Sequence, residues 1–376
     1  MAFSKFNHVK ITAIAGVVPE NFINIDDEIQ YYDNDPKKLE RIKKILGLGI
    51  RHVVEDGVTT CDLCEVAANR LISEAEIERK NIDLILVAST SHDYNYPPTA
   101  CILQGLLNLD NTCTAIDTHG YGCTGYVHAL LVASSMIESG AIKNALVLVG
   151  DISSKDSDIR NRLTNILFGD AVVATFVEYT DKLTESWFYT GCCGKEYKNI
   201  ISPAGGFKLK IKEDLINLEV RDKANNVWHL WENYINGMNV FKFSMEVAPK
   251  TLKELLQYAE KSINDIDFVG IHQANKQIIQ NIAKIAELPM EKYSSETFTK
   301  YANCATAAVA VNVCDALWGK NVKNILLCTF GVGLSWGNAI INFENVKNLG
   351  IEQYPFTPKE KREDLIEYWK KAFKNE

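Results

Sequence analysis

Two stretches of this chain spell out the same succession of elements, and that duplication restricts the fold more than any other feature. Ile82-Asp-Leu-Ile-Leu-Val-Ala-Ser reads as a continuous apolar strand buried on both faces of a sheet, and Ile266-Asp-Phe-Val-Gly-Ile-His-Gln mirrors it. A helix predicted from about Cys123 to Gly140 leads to a strand opening at Lys143-Asn144. A second apolar helix opening at Asn303-Cys-Ala-Thr leads to a strand opening at Lys323-Asn324. Cys123 stands 20 residues before Lys143 and Asn303 stands 20 residues before Lys323, which places the two at equivalent positions in two copies of one α/β unit. Asp170-Ala-Val-Val-Ala-Thr-Phe-Val-Glu is a further strand of the first copy.

A duplicated α/β unit with helices on both faces of a sheet explains 376 residues better than two unrelated domains. We expect a first half over 1–180, an inserted cap over 181–235 and a second half over 236–346. A charged helical extension over 347–376 is expected to dock on the body. With 47% hydrophobic and 23% charged residues the chain has globular composition, which excludes disordered, collagen-like and membrane-embedded classes. A net charge of −8 supplies no broad attraction to nucleic acid or anionic lipid, so neither is an expected partner. The N-terminal apolar stretch breaks at Pro19-Glu20, too short to span a bilayer and without a small-residue cleavage site, so a cytoplasmic protein is expected.

Ten cysteines are scattered through apolar runs, and most read as buried thiols. Cys61-Asp-Leu-Cys64 follows Thr59-Thr60, a helix start, and has no second Cys pair to complete a zinc set; no metal site is expected. Cys123 differs in its setting, Gly120-Tyr-Gly-Cys-Thr-Gly, at a strand-to-helix junction. There a thiol meets free backbone N–H groups and the positive end of the helix dipole, which favour the nucleophilic thiolate; a small buried residue at a tight turn is the alternative. His272, in His-Gln-Ala-Asn, leaves a strand where a helix begins, and Asn303 reads as a helix N-cap. All three fall at strand ends or helix starts, which gather at one edge of an α/β sheet. Phe330-Gly-Val-Gly-Leu-Ser-Trp-Gly-Asn has neither the dinucleotide spacing nor the Lys-Ser/Thr of a phosphate loop, so no cofactor is expected. It reads as a β-turn between antiparallel strands or as a backbone N–H aimed at an oxyanion.

Gly-Cys-Thr-Gly-Tyr at 122–126, His-Gln-Ala-Asn at 272–275, Tyr-Ala-Asn at 301–303 and Gly-Val-Gly-Leu-Ser-Trp-Gly at 331–337 resemble β-ketoacyl-acyl-carrier-protein synthase III of the thiolase superfamily. Gly49-Ile-Arg, Tyr96-Pro-Pro-Thr-Ala, Phe168-Gly-Asp and Asn236-Gly-Met-Asn-Val-Phe-Lys-Phe add to the resemblance, which runs from about residue 10 to 345. It implies a five-layered αβαβα thiolase fold and a homodimer. It also implies a decarboxylative Claisen condensation in which Cys123 takes an acyl group from a thioester and malonyl-acyl carrier protein supplies the carbanion. By the same resemblance His272 and Asn303 stabilise the enolate, and the backbone N–H groups of Cys123 and Val332 hold the oxyanion of acyl transfer. The chain departs from the family at Lys43, where a Trp often stands against coenzyme A, at Gly150-Asp-Ile-Ser-Ser-Lys-Asp, where an Arg is usual, at Gln277 and at Val332. These departures favour a carrier-protein-bound donor over a coenzyme A thioester, and the insertion favours a specialised pathway. The alternatives are a same-fold acyltransferase forming an ester or amide, and a non-catalytic partner subunit, against which the intact Cys/His/Asn set argues.

Overall fold

The structure, a computed structural model, describes residues 2–375. Eleven strands form two sheets. In chain order they are β1 (Ala2–Phe6), β2 (Val9–Pro19), β3 (Leu84–Ser89), β4 (Thr114–His119), β5 (Asn144–Asp151), β6 (Ala171–Tyr179), β7 (Ser186–Cys192), β8 (Phe268–Ile271), β9 (Asn324–Gly331), β10 (Ser335–Asn342) and β11 (Lys347–Tyr354). The helices used below are α1 (Thr60–Glu74), α2 (Thr99–Leu106), α3 (Gly125–Glu138), α4 (Gly237–Tyr258), α5 (Lys276–Ile285), α6 (Ala308–Ala316) and α7 (Arg362–Asn375).

Strand alternation builds the layers. In β5, Ala145, Val147 and Val149 face a central cluster while Leu146 and Leu148 face an outer one; in β9, Ile325 and Leu327 face the same central cluster and Leu326 and Cys328 the opposite outer one. Both sheets are therefore covered on two faces, as their unbroken apolar strands require. Helices α3 and α6 fill the central layer, α1 and α2 one outer face, α4 and α5 the other. The result is the αβαβα stack of the thiolase fold.

The duplication is visible in the pairing. The first sheet runs β11-β2-β6-β5-β3-β4 and the second β1-β7-β10-β9-β8. From β3 through β5 and β6 to β2 the pairs are parallel, antiparallel, antiparallel, and the same sequence runs from β8 through β9 and β10 to β7. The repeated Ile-Asp and Lys-Asn pairs make one contact twice. Asp83 accepts from the Lys143 N–H at 2.7 Å, and Asp267 accepts from the Lys323 N–H at 2.7 Å.

Three expectations need correction. The stretch 181–235 is not all cap, since Ser186–Cys192 is β7, a strand of the second sheet, and the inserted segment is 193–236, between β7 and α4. The terminal segment is not only helical: β11 pairs with β2 in the first sheet. Nor does its helix dock, because Tyr368, Trp369 and Phe373 on α7 are exposed, and the body is met instead by Phe356, which is buried, and Lys359, which pairs with Asp62 at 3.0 Å.

The equal counting of 20 residues also fails at the helix starts. Gly122–Thr124 is the one-turn lead-in to α3 and Ala305–Ala307 the lead-in to α6, so Thr306 rather than Asn303 matches Cys123. The central helices differ in length, 14 residues against 9, which shifts the register between helix and strand. These two starts touch: a Cβ on Gly125 would stand 2.6 Å from Thr306 Cγ2, so only glycine permits the approach.

Candidate active site

Cys123 lies in the turn between β4 and α3. Gly331, the last residue of β9, rests against it: a Cβ there would stand 2.8 Å from Cys123 Cβ and 3.0 Å from Sγ. Gly331 pairs with Ser335 across the Val332–Leu334 turn, so the glycine-rich motif is the predicted turn between antiparallel strands. Ser335 Oγ donates to the Val332 carbonyl at 2.6 Å and lies 3.0 Å from Thr124 Oγ1, which ties that turn to the start of α3.

His272 follows β8, with its N–H donating to the Cys328 carbonyl at 2.9 Å. The ring is 2% exposed and stands edge-on to Phe330 at 5.4 Å. Burial alone pushes its pKa down to about 3, so the imidazole is neutral, and Nδ1 has no partner among the described residues. Asn303 is held by its N–H to the Leu167 carbonyl at 2.9 Å and by Oδ1, which accepts from the Ala305 N–H at 3.0 Å. With the oxygen committed, the Nδ2 amide is the end presented to a ligand. Ala302 and Ala305 flank it at φ 59° and φ 43°, left-handed values that cost an alanine ~1–2 kcal/mol each and mark a constrained segment.

Cys123, His272, Asn303 and Val332 all line one cavity of about 840 Å³. The structure thus brings together every predicted site residue. Its electrostatics differ from expectation. The Cys123 thiol is pushed up to about 12, first by burial and then by the Asp151 carboxylate, so the helix start does not hold a resting thiolate. Asp151 is fully buried at the end of β5. Its Oδ1 accepts from the Thr90 N–H at 2.6 Å, Thr90 Oγ1 at 2.9 Å and Ser89 Oγ at 2.9 Å, and its Oδ2 accepts from the Thr306 N–H at 2.9 Å. It joins a loop lining the cavity to the start of α6.

The supporting motifs are largely structural. Arg51 of Gly49-Ile-Arg makes two 2.6 Å bonds to Glu28, both side chains buried. Asp170 of Phe168-Gly-Asp accepts from the Val54 N–H at 2.9 Å and from Ser154 Oγ at 2.6 Å. Cys61 and Cys64 are buried on α1, whose start is closed by the reciprocal Thr59–Asp62 capping box. Among the described residues no cluster of His, Cys, Asp or Glu is arranged to hold a metal ion. A second cavity of about 840 Å³ shares Leu167 and Asn275 with the first and is lined by Tyr31 and Arg162. Lys43 pairs with Asp26 at 2.6 Å.

Residues 117–191 match the family profile described as 3-oxoacyl-[acyl-carrier-protein (ACP)] synthase III, and residues 256–343 match its C-terminal part. A Campylobacter jejuni protein provisionally named a 3-oxoacyl-[acyl-carrier-protein] synthase 3 is 35% identical over 352 residues, 93% of this chain and 98% of its own. The β-ketoacyl-[acyl-carrier-protein] synthase III of Fusobacterium nucleatum is 32% identical, over 89% of this chain and 98% of its own. This chain belongs to the synthase III family. A solved 3-oxoacyl-(acyl-carrier protein) synthase from Burkholderia xenovorans shares the fold at a TM-score of 0.85 with 26% identity, covering 94% of this chain and 99% of its own.

Within the synthase III frame, sequence reasoning missed the groups lining the rest of the cavity, notably His119, Asp156, Ser202 and Asn233. His119 lies 4.6 Å from the His92 ring. Asp156 belongs to Gly150-Asp-Ile-Ser-Ser-Lys-Asp, where two acidic residues before a cavity-lining loop were the only available signal.

Proposed function

We propose that Cys123 takes an acyl group from a thioester and passes it to the carbanion of malonyl-acyl carrier protein, giving a 3-oxoacyl thioester. The observation that carries this reading is the convergence of a thiol, a neutral imidazole and an amide nitrogen on one cavity. In the first step the Cys123 sulfur bonds to the acyl carbon, the donor's C–S bond breaks, and the thiol proton leaves with the donor thiol. Covalent capture turns one hard step into two easier ones. In the second step the malonyl group loses carbon dioxide, its carbon bonds to the acyl carbon, and the Cys123 thiolate departs and takes up a proton.

His272 and Asn303 donate to the enolate oxygen formed on decarboxylation. A histidine that stays neutral donates without presenting a full charge, and each such donor is worth ~3 kcal/mol in the transition state. The N–H groups of Cys123 and Val332 serve the oxyanion of acyl transfer.

The carrier protein meets the mouth of the cavity. Gly205 and Gly206 line it, and the following Phe207-Lys-Leu-Lys-Ile-Lys212 is exposed along its length, with Phe207 93% exposed. Lys208, Lys210 and Lys212 enter no ion pair among the described residues, which supports docking of an acidic carrier on an otherwise acidic protein. A homodimer through β4 is supported by its place at the edge of the first sheet and by exposed Tyr96 on the loop after β3. No helix among the described residues is long and apolar enough to cross a membrane.

The test is intact mass spectrometry of wild type and Cys123→Ala after incubation with a panel of carrier-protein and coenzyme A thioesters, with carbon dioxide release from malonyl-acyl carrier protein measured alongside. An acyl adduct lost in Cys123→Ala is expected, and decarboxylation ~100-fold slower in His272→Ala and Asn303→Ala. Full decarboxylation by either variant refutes its role, and an adduct without carbon dioxide release points to simple acyl transfer.

A further inference from the structure

The cavity that holds Cys123 has a polar wall that the condensation does not use. Ser202 Oγ donates to Asn233 Oδ1 at 2.6 Å, and Asn233 Nδ2 donates to Asp156 Oδ2 at 3.1 Å. All three line the cavity. Ser202 and Asn233 come from the segment outside the sheets and Asp156 from the loop after β5, so that segment brings hydrogen-bonding capacity into the site as well as cover. An unsubstituted acyl chain lying against this wall would strip water from polar groups and offer them no partner.

The donors all point one way, toward Asp156, whose second carboxyl oxygen has no partner among the described residues. Burial first, and then the charges of the buried Asp151 and Asp170 carboxyls, push Asp156 up to about 7. Such a place suits a ligand group that donates a hydrogen bond and disfavours a carboxylate. Asp151 acts on Asp156 and on the Cys123 thiol alike, and it bonds to Thr90, another lining residue. Wall and nucleophile therefore line one cavity together with Thr90, a residue that this carboxylate holds.

We propose that the acyl group taken by Cys123 carries a hydrogen-bond donor on its chain, a hydroxyl or an ammonium, held by the Ser202–Asn233–Asp156 wall. This rests on the acyl-enzyme step above and names the class of its substrate.

The test times Cys123 labelling by intact mass with N-acetylcysteamine thioesters of butyrate, 3-hydroxybutyrate, 4-hydroxybutyrate and 4-aminobutyrate. In wild type at least one substituted thioester should label faster than butyryl by about tenfold, the usual scale for one hydrogen bond to a group otherwise left unpaired. The hydroxy and amino arms tell the two donors apart. Asn233→Leu should bring the ratio of substituted to butyryl labelling to one or below, and Ser202→Ala, at an exposed position, should lower it less; because each ratio is taken within one protein, a loss of folded material does not mimic the result. Fastest labelling by butyryl in wild type overturns the proposal and leaves the acyl-enzyme reading intact. Equal slowing of all four thioesters in Asn233→Leu also overturns it, since contact with the common thiol arm would do the same. Labelling by none of the four overturns both.

Discussion

Asp151→Asn separates the structural and electrostatic parts of the site in one substitution. Two backbone donors reach this carboxylate, the Thr90 N–H on Oδ1 and the Thr306 N–H on Oδ2, at 2.6 and 2.9 Å. An asparagine has one oxygen, so whichever way its amide turns, an NH₂ group faces one of these N–H groups. Hydroxyls of Ser89 and Thr90 can rotate to accept, but a backbone N–H cannot. Leaving one such donor buried and unpaired costs ~1–3 kcal/mol, and the surviving bonds lose their charge assistance, for roughly another 1 kcal/mol. Removing a buried charge that has no cationic partner among the described residues offsets part of this, so we expect a net loss of about 2 kcal/mol. Urea unfolding followed by circular dichroism measures it.

The same change should make Cys123 more reactive. With the anion gone, one of the two causes that hold the thiol near 12 disappears, its pKa falls, and the thiolate fraction at pH 8–9 rises. Alkylation by iodoacetamide, read at the Cys123 peptide, should then quicken although the protein is less stable. Unchanged stability together with unchanged or slower alkylation would refute the assignment of Asp151 as the link between the two halves and the nucleophile.

Gly331→Ala places a Cβ at 2.8 and 3.0 Å from Cys123 Cβ and Sγ, so the thiol must move; acyl-adduct formation should fall ~100-fold with the unfolding midpoint little changed, and an unaltered rate would show that the thiol has room the structure does not give it. His272 titrates at 6.5 unfolded and about 3 folded, so below pH 6.5 the unfolded chain binds a proton that the folded one refuses, and stability falls with pH. Between pH 7 and 5 this amounts to about 2 kcal/mol, which His272→Gln should remove from the pH dependence of urea unfolding. Changing Lys208, Lys210 and Lys212 together to Glu should raise KM for malonyl-acyl carrier protein about tenfold and flatten its salt dependence; an unchanged salt dependence puts the docking face elsewhere.

The fold was legible where one local pattern had to satisfy two copies of the same architecture. Ile82-Asp83 with Lys143-Asn144, and Ile266-Asp267 with Lys323-Asn324, stood out because each aspartate closes the same contact onto the start of the adjacent parallel strand. What did not show was pairing across the duplication. β1, from the N-terminus, adds to β7 in the second sheet, and β11, from the C-terminal end, adds to β2 in the first. No local periodicity encodes which edge receives a strand. β7 was hidden for a different reason: Ser186-Trp-Phe-Tyr-Thr-Gly-Cys is aromatic and polar, yet Trp187, Phe188 and Tyr189 are buried between sheet neighbours and helices.

The three side chains of the site were legible because each ends a strand or begins a helix, and those ends meet at one rim. Their protonation was not, because it depends on distant groups. A helix start offers a thiol about half a unit of positive charge, whereas burial and the full charge of Asp151 act in the opposite direction and win. Burial keeps His272 neutral as well. Under the proposed reaction the resting site thus holds an uncharged nucleophile beside uncharged donors, and negative charge arises only as bonds change: on the acyl oxygen, then on the enolate, then on the departing thiolate. A site of this kind stabilises charge through aimed N–H groups rather than a standing cation, which places the catalytic demand on geometry. The constrained backbone on both sides of Asn303 and the bare Cα of Gly331 against Cys123 are where this chain meets that demand.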